Sequence, residues 1–413
     1  MAICFSSRSL LQKLLHTSSP EGYVYPPSTW PGTLGLPTED VLRAGRIDLT
    51  VKSLFFLPFS VMHPKFVVVD RERAFVPSCN ISWEAWLEGC VEIRGPAVAR
   101  LLRFYAETWD RGLDVRRALP GPPSEAAQTT GTAATATATS TNVEVRPVMA
   151  RSHSIQTFSS PHYQRVKTVI LPAPHCRNPS FRPFPWQSHP PAPPKPLNAA
   201  LLRLFGDATD HIYVQTPNLT SEPAISALLS ALERGVHVTI VTSRNMMMLE
   251  QLVTAGTLTS WCLRSLVRRY QAMRGSGPDQ RDRGDESAVL EDDDEDDDEA
   301  QEQEQRDLEA QTPRAGRLRV SYFRPQAVAA APGESGTDAS EEPVHSHLKL
   351  TIVDGRFTVL GSGNMDRASW FTSQELGILF DSRDFAAVVG RSVARVLEDR
   401  VDVVFDSGRS AAK

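Results

Sequence analysis

The sequence predicts an α/β fold in two pseudo-symmetric halves, each a mixed sheet flanked by helices, and three observations carry that expectation. The first is an internal repeat. HPKFVVVDRERAFVPSCN from His63 and HLKLTIVDGRFTVLGSGN from His347 match without a gap at an offset of 284 residues. The second is a strand–helix–strand alternation over residues 211–242, which implies parallel strands joined by a right-handed crossover. The third is a fainter correspondence at an offset of 236 residues, laying Ser7-Arg8 on Ser243-Arg244, each after a strand-like run and before a Leu/Met-rich one.

The bounds of the chain agree with this. Its 413 residues and 41% hydrophobic content suit two or three domains with real cores. A net charge of -5 argues against a generally basic, DNA-coating surface. Cys4, Cys79, Cys90, Cys176 and Cys262 show no C-x-x-C and no regular spacing, so reduced thiols in an intracellular protein are expected. No apolar run approaches a membrane span, and the brief apolar opening does not read as a signal peptide.

In a strand, positions i and i+2 share a face, so His63 with Lys65 and His347 with Lys349 point the same way. Phe66–Val69 and Leu350–Val353 are continuous apolar runs, expected to be central strands covered on both faces. Asp354-Gly355 signals a tight turn, and Phe357–Leu360 reads as the return arm of a hairpin. That arm carries Ser362 and Asn364 back to where His347 and Lys349 begin. Trp83–Ile93 includes a strand with Glu88 at its start, and Pro96–Trp109 has helical periodicity.

Residues 120–145, rich in Ala, Thr, Ser, Gly and Pro, read as a flexible linker. Residues 146–196 are Pro-rich, with an extended stretch Val166–Leu171 and an aromatic cluster of Phe181, Phe184 and Trp186. His153, His162, His175 and His189 lack ligand spacing and read as loop residues. The second half opens with a helix Leu197–Ala208 and a strand His211–Thr216. A helix stopped by Gly235, a strand Val236–Thr242 and a helical run Met246–Met273 follow. Glu291–Glu299 are nine consecutive carboxylates, a self-repelling solvated loop without the turn residues of a calcium cage. Phe385–Val404 reads as an amphipathic helix packed on the core. The expected boundaries are 1–115 for the first half, 116–196 for the linker and 197–409 for the second half, with an acidic insertion at about 275–316.

The paired stretches resemble the signature of the phospholipase D superfamily, H-x-K-x4-D followed by a G-S-x-N loop and a later acidic residue. The second copy is complete, with His347, Lys349, Asp354, Gly361, Ser362, Asn364 and Glu375. The first has His63, Lys65, Asp70, Ser78, Asn80 and Glu88, but Pro77 where the pattern has Gly, which removes a backbone donor there. The resemblance covers both halves and neither the linker nor the acidic run. It implies an active site at the interface of the halves, without a metal or other cofactor. One histidine forms a phosphohistidine and the other serves as general acid and then activates the acceptor. Lys65, Lys349, Asn80, Asn364, Ser78 and Ser362 surround the phosphate.

The residue types suit that chemistry. Phosphodiester transfer needs a nucleophile, a proton donor and fixed positive charge. A histidine attacks best when a carboxylate holds its other ring nitrogen, and Glu88 and Glu375 are the candidates. Asp70 and Asp354 complete the charged motif, yet they lie an odd number of positions from their histidines, next to the turn, which points to fold maintenance. His345 shares the face of His347, but no carboxylate-rich set accompanies it for a metal. Asn80-Ile81-Ser82 fits a glycosylation sequon; without a secretory signal, the site role is preferred.

The leading expectation is a phosphodiesterase or phosphatidyltransferase acting on phospholipids at a membrane surface, as in cardiolipin-synthase-like members. The alternative is a metal-independent nuclease or nucleic-acid phosphodiesterase. A non-catalytic scaffold is disfavoured because both motifs keep every charged residue. The expected location is intracellular, either cytoplasmic or peripheral to a membrane, the mitochondrion included. In the second half, a helix, a strand and a helix precede the strand that aligns with residues 2–6. The first half is therefore expected to begin inside its second strand, with an exposed apolar edge.

Overall fold

The computed structural model describes residues 1–6, 22–55, 60–80, 84–109, 147–149, 156–157, 165–176, 190–275, 315–325 and 343–408. In the first half, β1 (Ala2–Phe5), β2 (Tyr23–Val24), the short helix α1 (Glu39–Ala44) and β3 (Thr50–Ser53) come first. β3 stands between β1, which is parallel to it, and β2, which is antiparallel. A second sheet is built from β4 (Val67–Val69), β5 (Arg73–Pro77) and, after the short β6 (Trp86–Leu87), β7 (Cys90–Arg94). Helix α2 (Pro96–Thr108) follows, starting on Pro96 and burying Ala97, Val98, Leu101, Leu102 and Phe104 along one stripe. β8 (Pro147–Met149) and β9 (Gln156–Thr157) extend this sheet beyond β7.

Phe66–Val69 departs from expectation. Its strand β4 lies at the sheet edge, with Val67 53% and Val69 39% exposed. Nothing among the described residues stands between β4 and β1, so the first half holds two separate sheets.

The second half begins with β10 (Lys167–Ala173) and α3 (Pro196–Asp207), and continues through β11 (His211–Thr216), α4 (Glu222–Glu233) and β12 (His237–Thr242). Helices α5 (Met248–Ala255) and α6 (Thr259–Gly275) precede β13 (Leu318–Phe323) and the two-residue β14 (His345–Ser346). Then come the hairpin β15 (Leu350–Val353) and β16 (Phe357–Gly361), α7 (Arg367–Phe371), β17 (Glu375–Asp381), α8 (Arg383–Val396) and β18 (Val401–Asp406). Eight strands form one mixed sheet in the order β10-β17-β16-β15-β11-β12-β13-β18. β11, β12 and β13 run parallel, as the crossover pattern requires. β15 is central and buried throughout because β11 and β16 flank it. Its turn places Asp354 and Gly355 at φ +52° and +58°, and Asp70-Arg71 repeat this at +52° and +61°, the left-handed pair that a tight hairpin needs.

Several stretches differ from expectation for identifiable reasons. Lys167–Ala173, inside the expected linker, is the edge strand paired with β17 along its whole length. The run Met246–Met273 is cut at Gly256, whose φ of +64° caps α5. Phe385–Val404 is not one helix: α8 ends at Val396, Asp399 takes a positive φ, and Val401–Asp406 pairs with β13. The β-branched valines of that tail suit a sheet edge better than another helical turn. Ser7-Arg8, residues 120–145, the Phe181/Phe184/Trp186 cluster, His153, His162, His189 and the acidic run lie outside the described residues.

The halves share a core. One apolar cluster joins Val76, Leu87, Val91, Ile93, Val98 and Leu101 of the first half to Leu348, Leu350, Ile378, Phe380, Phe385 and Val389 of the second. Each such buried side chain contributes about 1.5–3 kcal/mol, so this seam holds the two motifs in register.

Candidate active site

Two short backbone exchanges assemble the site. The chain before His63 runs beside Gln374, with Gln374 N–H donating to Val61 O at 3.0 Å and His63 N–H to Gln374 O at 3.1 Å. Reciprocally, β14 pairs in parallel with β6, and His347 N–H donates to Leu87 O at 2.9 Å. Each histidine is thereby delivered to the glutamate of the other half. His63 Nδ1 lies 2.9 Å from Glu375 Oε2 and 3.1 Å from Oε1. His347 Nδ1 lies 2.5 Å from Glu88 Oε1. Both glutamates are candidates for this support in the sequence; the crossing of the pairs comes from tertiary structure.

The lysines stand beside the rings. Lys65 Nζ donates to His63 O at 2.7 Å. Lys349 Nζ lies 2.7 Å from Nδ1 and 2.9 Å from Nε2 of His347 and donates to His347 O at 2.6 Å. Burial lowers His63 against the pull of Glu375. Burial also pushes His347 down to about 4, with the Glu88 hydrogen bond opposing and Lys349 reinforcing the shift. The lysines follow, Lys65 to about 8 and Lys349 to about 7, again because burial disfavours the charged form. Burial raises Glu375, but His63, Lys65 and Ser362 outweigh it and hold the carboxyl below its usual range. Near neutral pH the rings are uncharged, the form in which an imidazole attacks phosphorus. An anion held between the two lysines would add negative charge and strengthen proton binding on both.

The serines are placed differently from the expectation that they face the phosphate. Ser362 Oγ donates to Glu375 Oε2 at 2.5 Å and accepts from Leu376 N–H at 3.0 Å. Ser78 Oγ donates to Glu88 Oε2 and accepts from Gly89 N–H at 2.9 Å. Both hydroxyls therefore orient carboxylates behind the histidines. Pro77 does not disturb this, since Ser78 N–H still donates to Gly89 O at 2.8 Å, as Ser362 N–H does to Leu376 O at 3.0 Å. Gly361 has a reason of its own: at φ +152° an added Cβ would sit 2.1 Å from Leu376 O.

Asn364 is buried, donating from Nδ2 to Asp366 Oδ2 at 2.9 Å while its Oδ1 has no hydrogen-bond partner among the described residues. Asn80 is exposed at its loop. Asp354 and Asp70 do not join the catalytic set. Asp354 accepts the backbone N–H groups of Thr209, Asp210 and His211 at 2.9–3.3 Å, fastening the hairpin turn to β11. Asp70 is exposed at the equivalent turn. A strand advances roughly 3.3 Å per residue, so each turn lies at the far end of its strand from the histidine.

Other residues serve the site without having been singled out for it. Ser369 Oγ donates to Glu375 Oε1 at 2.7 Å, and its N–H is capped by Asp366 at 2.8 Å. That Asp-x-x-Ser spacing is a helix N-cap signal legible in the sequence. The Trp86 ring packs against His347 at a tilt of 46°, with centroids 4.8 Å apart. Ser243, marked by the weaker repeat, brackets Ser346 by donating to its carbonyl at 2.6 Å and accepting its N–H at 2.9 Å. His175, read as a loop residue, pairs with Ser60 and with Thr372 O, pinning the approach to His63. Among the described residues, no three His, Cys, Asp or Glu side chains gather as a metal-ligand set. No helix there is long and apolar enough to cross a membrane.

A family model described as "Cardiolipin synthase, PLD-like domain" matches residues 201–397. No curated protein matches by sequence. Among solved structures, the chain is similar to phosphatidylserine synthase from Haemophilus influenzae Rd KW20, at 13% identity and a TM-score of 0.41 over 84% of this chain and 64% of that one. It is also similar to Nuc, a phospholipase D family member from Salmonella typhimurium, at 14% identity and a TM-score of 0.29 over 51% and 90%. NucT from Helicobacter pylori matches at 11% identity and a TM-score of 0.30 over 57% and 98%. The chain thus spans 64% of the length of the first of these. The family match covers the second half, where it includes His347, Lys349, Asp354, Ser362, Asn364 and Glu375, and over that span the chain is similar to the phospholipase D-like family.

Proposed function

We propose that this protein is a phosphodiesterase or phosphatidyltransferase acting on phospholipids through a phosphohistidine intermediate. The observation that carries the reading is the crossed pair of histidine–glutamate contacts, His63 with Glu375 and His347 with Glu88, with half-buried Lys65 on the His63 carbonyl and buried Lys349 beside the His347 ring. The choice of phospholipid rests on the description of the matching family.

His63 is the nucleophile in this reading. Its side chain is 18% exposed against 2% for His347, and Glu375 occupies Nδ1, leaving Nε2 to attack. A P–N bond forms as the P–O bond to the leaving alkoxide breaks, and Glu375 stabilises the positive ring. His347 relays a proton from Lys349, 2.9 Å from its Nε2, to the alkoxide. Lys65 and Lys349 balance charge on the non-bridging oxygens. His347 then takes a proton from water or an alcohol and returns it to Lys349, while that oxygen displaces His63 from phosphorus and restores the site.

Labelled phosphatidylcholine, phosphatidylglycerol and single-stranded DNA are incubated with the protein in parallel. Release or transfer of a lipid headgroup is expected, with phosphate label trapped on His63. Cleavage of DNA alone would overturn the lipid assignment.

A further inference from the structure

In the α5–α6 hairpin, α6 buries Leu263, Leu266 and Tyr270 in the core, but α5 is built inside out. On α5 the buried side chain is Gln251, whose Nε2 donates to Met246 O at 2.6 Å and whose Oε1 accepts Thr259 N–H at 2.7 Å. Its apolar side chains face outward instead: Leu249 is 77% exposed, and Met248, Leu252 and Val253 are also exposed. They lie at i, i+1, i+4 and i+5, on one face. At the start of α6, Trp261 is 51% exposed. Arg264 and Arg268 follow it at i+3 and i+7 on the same exposed stripe. α6 carries Arg264, Arg268, Arg269 and Arg274 and no acidic residue, in a chain whose net charge is -5. Arg269 is held by Glu222 at 2.5 Å, on another side of the helix.

We infer that this hairpin docks the protein on an anionic lipid bilayer, with Met248, Leu249, Leu252, Val253 and Trp261 entering the interface and Arg264 and Arg268 meeting acidic headgroups. An apolar ridge edged by arginine and carrying tryptophan is the composition that lies flat in a membrane interface. An apolar partner protein accounts for the leucines but gives no reason for the local positive charge on an acidic chain. The position fits as well. Arg367 of α7 reaches Thr254 O at 3.3 Å, and the same short helix supplies Ser369 to Glu375. The surface therefore rests on the element that holds the candidate active site. The inference rests on the phospholipid reading for its purpose, though membrane binding is measured apart from turnover.

The full chain is floated with vesicles of phosphatidylcholine alone and of phosphatidylcholine mixed with phosphatidylglycerol. The mixed vesicles are expected to bind it, less so as salt rises. Leu249→Glu with Leu252→Glu lowers the bound fraction at least about tenfold. Arg264→Glu with Arg268→Glu removes the preference for phosphatidylglycerol. Both variants turn over a monomeric short-chain phosphodiester at the wild-type rate. If the double Glu variant has a lowered melting temperature, Leu249→Ser with Leu252→Ser gives the same readout. Flotation of the leucine variants like wild type overturns the inference, as does absence of wild-type binding. So does a wild-type dimer that the leucine variants split, which makes the face a self-interface. Vesicle binding without lipid turnover refutes the substrate reading alone, and lipid turnover without vesicle binding refutes the docking surface alone.

Discussion

Glu375→Gln tests the crossed architecture at its centre. The carboxylate is buried and accepts from Ser362 Oγ at 2.5 Å and Ser369 Oγ at 2.7 Å while facing His63 Nδ1 at 2.9 Å. Glutamine keeps the size but removes the charge, and its amide nitrogen must face one of these donors. A charge-assisted hydrogen bond lost inside the protein is worth about 1.5–3 kcal/mol. The neutral amide also cannot stabilise the positive ring of a phosphohistidine, so turnover falls by about 10²–10⁴. The sharper readout is a double-mutant cycle on urea stability with His63→Asn and His347→Asn. Glu375 is expected to couple to His63 by about 1–3 kcal/mol and to His347 by less than about 0.5 kcal/mol. Glu88→Gln shows the opposite pattern, coupling to His347. Coupling of each glutamate to the histidine of its own half would refute the exchange and the mechanism built on it.

His63→Ala and His347→Ala each abolish phosphodiester turnover, and EDTA leaves the wild type active, because two histidines and two lysines supply the nucleophile, acid and charge; a phosphodiester assay with and without chelator checks both. Folding stability falls as the pH drops from the ordinary 6.5 of histidine toward about 4, since the unfolded chain takes up a proton that buried His347 refuses. Linkage puts that loss at about 3 kcal/mol, and His347→Asn flattens the slope in thermal melts at stepped pH. Deleting residues 279–311 leaves melting temperature and turnover nearly unchanged, because so acidic a composition opposes burial; a large fall in melting temperature would show that it packs.

The gapless repeat marked both histidines, both lysines and the hairpin turns, because strand alternation and tight-turn chemistry are local and appear at fixed spacing in the chain; Glu88 and Glu375 lie beyond it and are candidates only as the later acidic residue of the motif. The crossover β11–α4–β12 was legible for the same reason, its periods being short and its caps explicit. Tertiary structure decided what depends on partners distant in sequence. Whether Leu350–Val353 is central and Val67–Val69 an edge turns on the strand beside each, although both runs are equally apolar. Val401–Asp406 became a strand because β13 offers it hydrogen bonds that no helical pattern reveals. The serine hydroxyls turned to the carboxylates because Glu88, between β6 and β7, and Glu375, at the start of β17, each lie beside the strand end that carries the serine. Above all, each histidine found the other half's glutamate through backbone pairing between segments 259 and 312 residues apart. Residue spacing carries no information on contacts of that range, which form only when the shared apolar core closes.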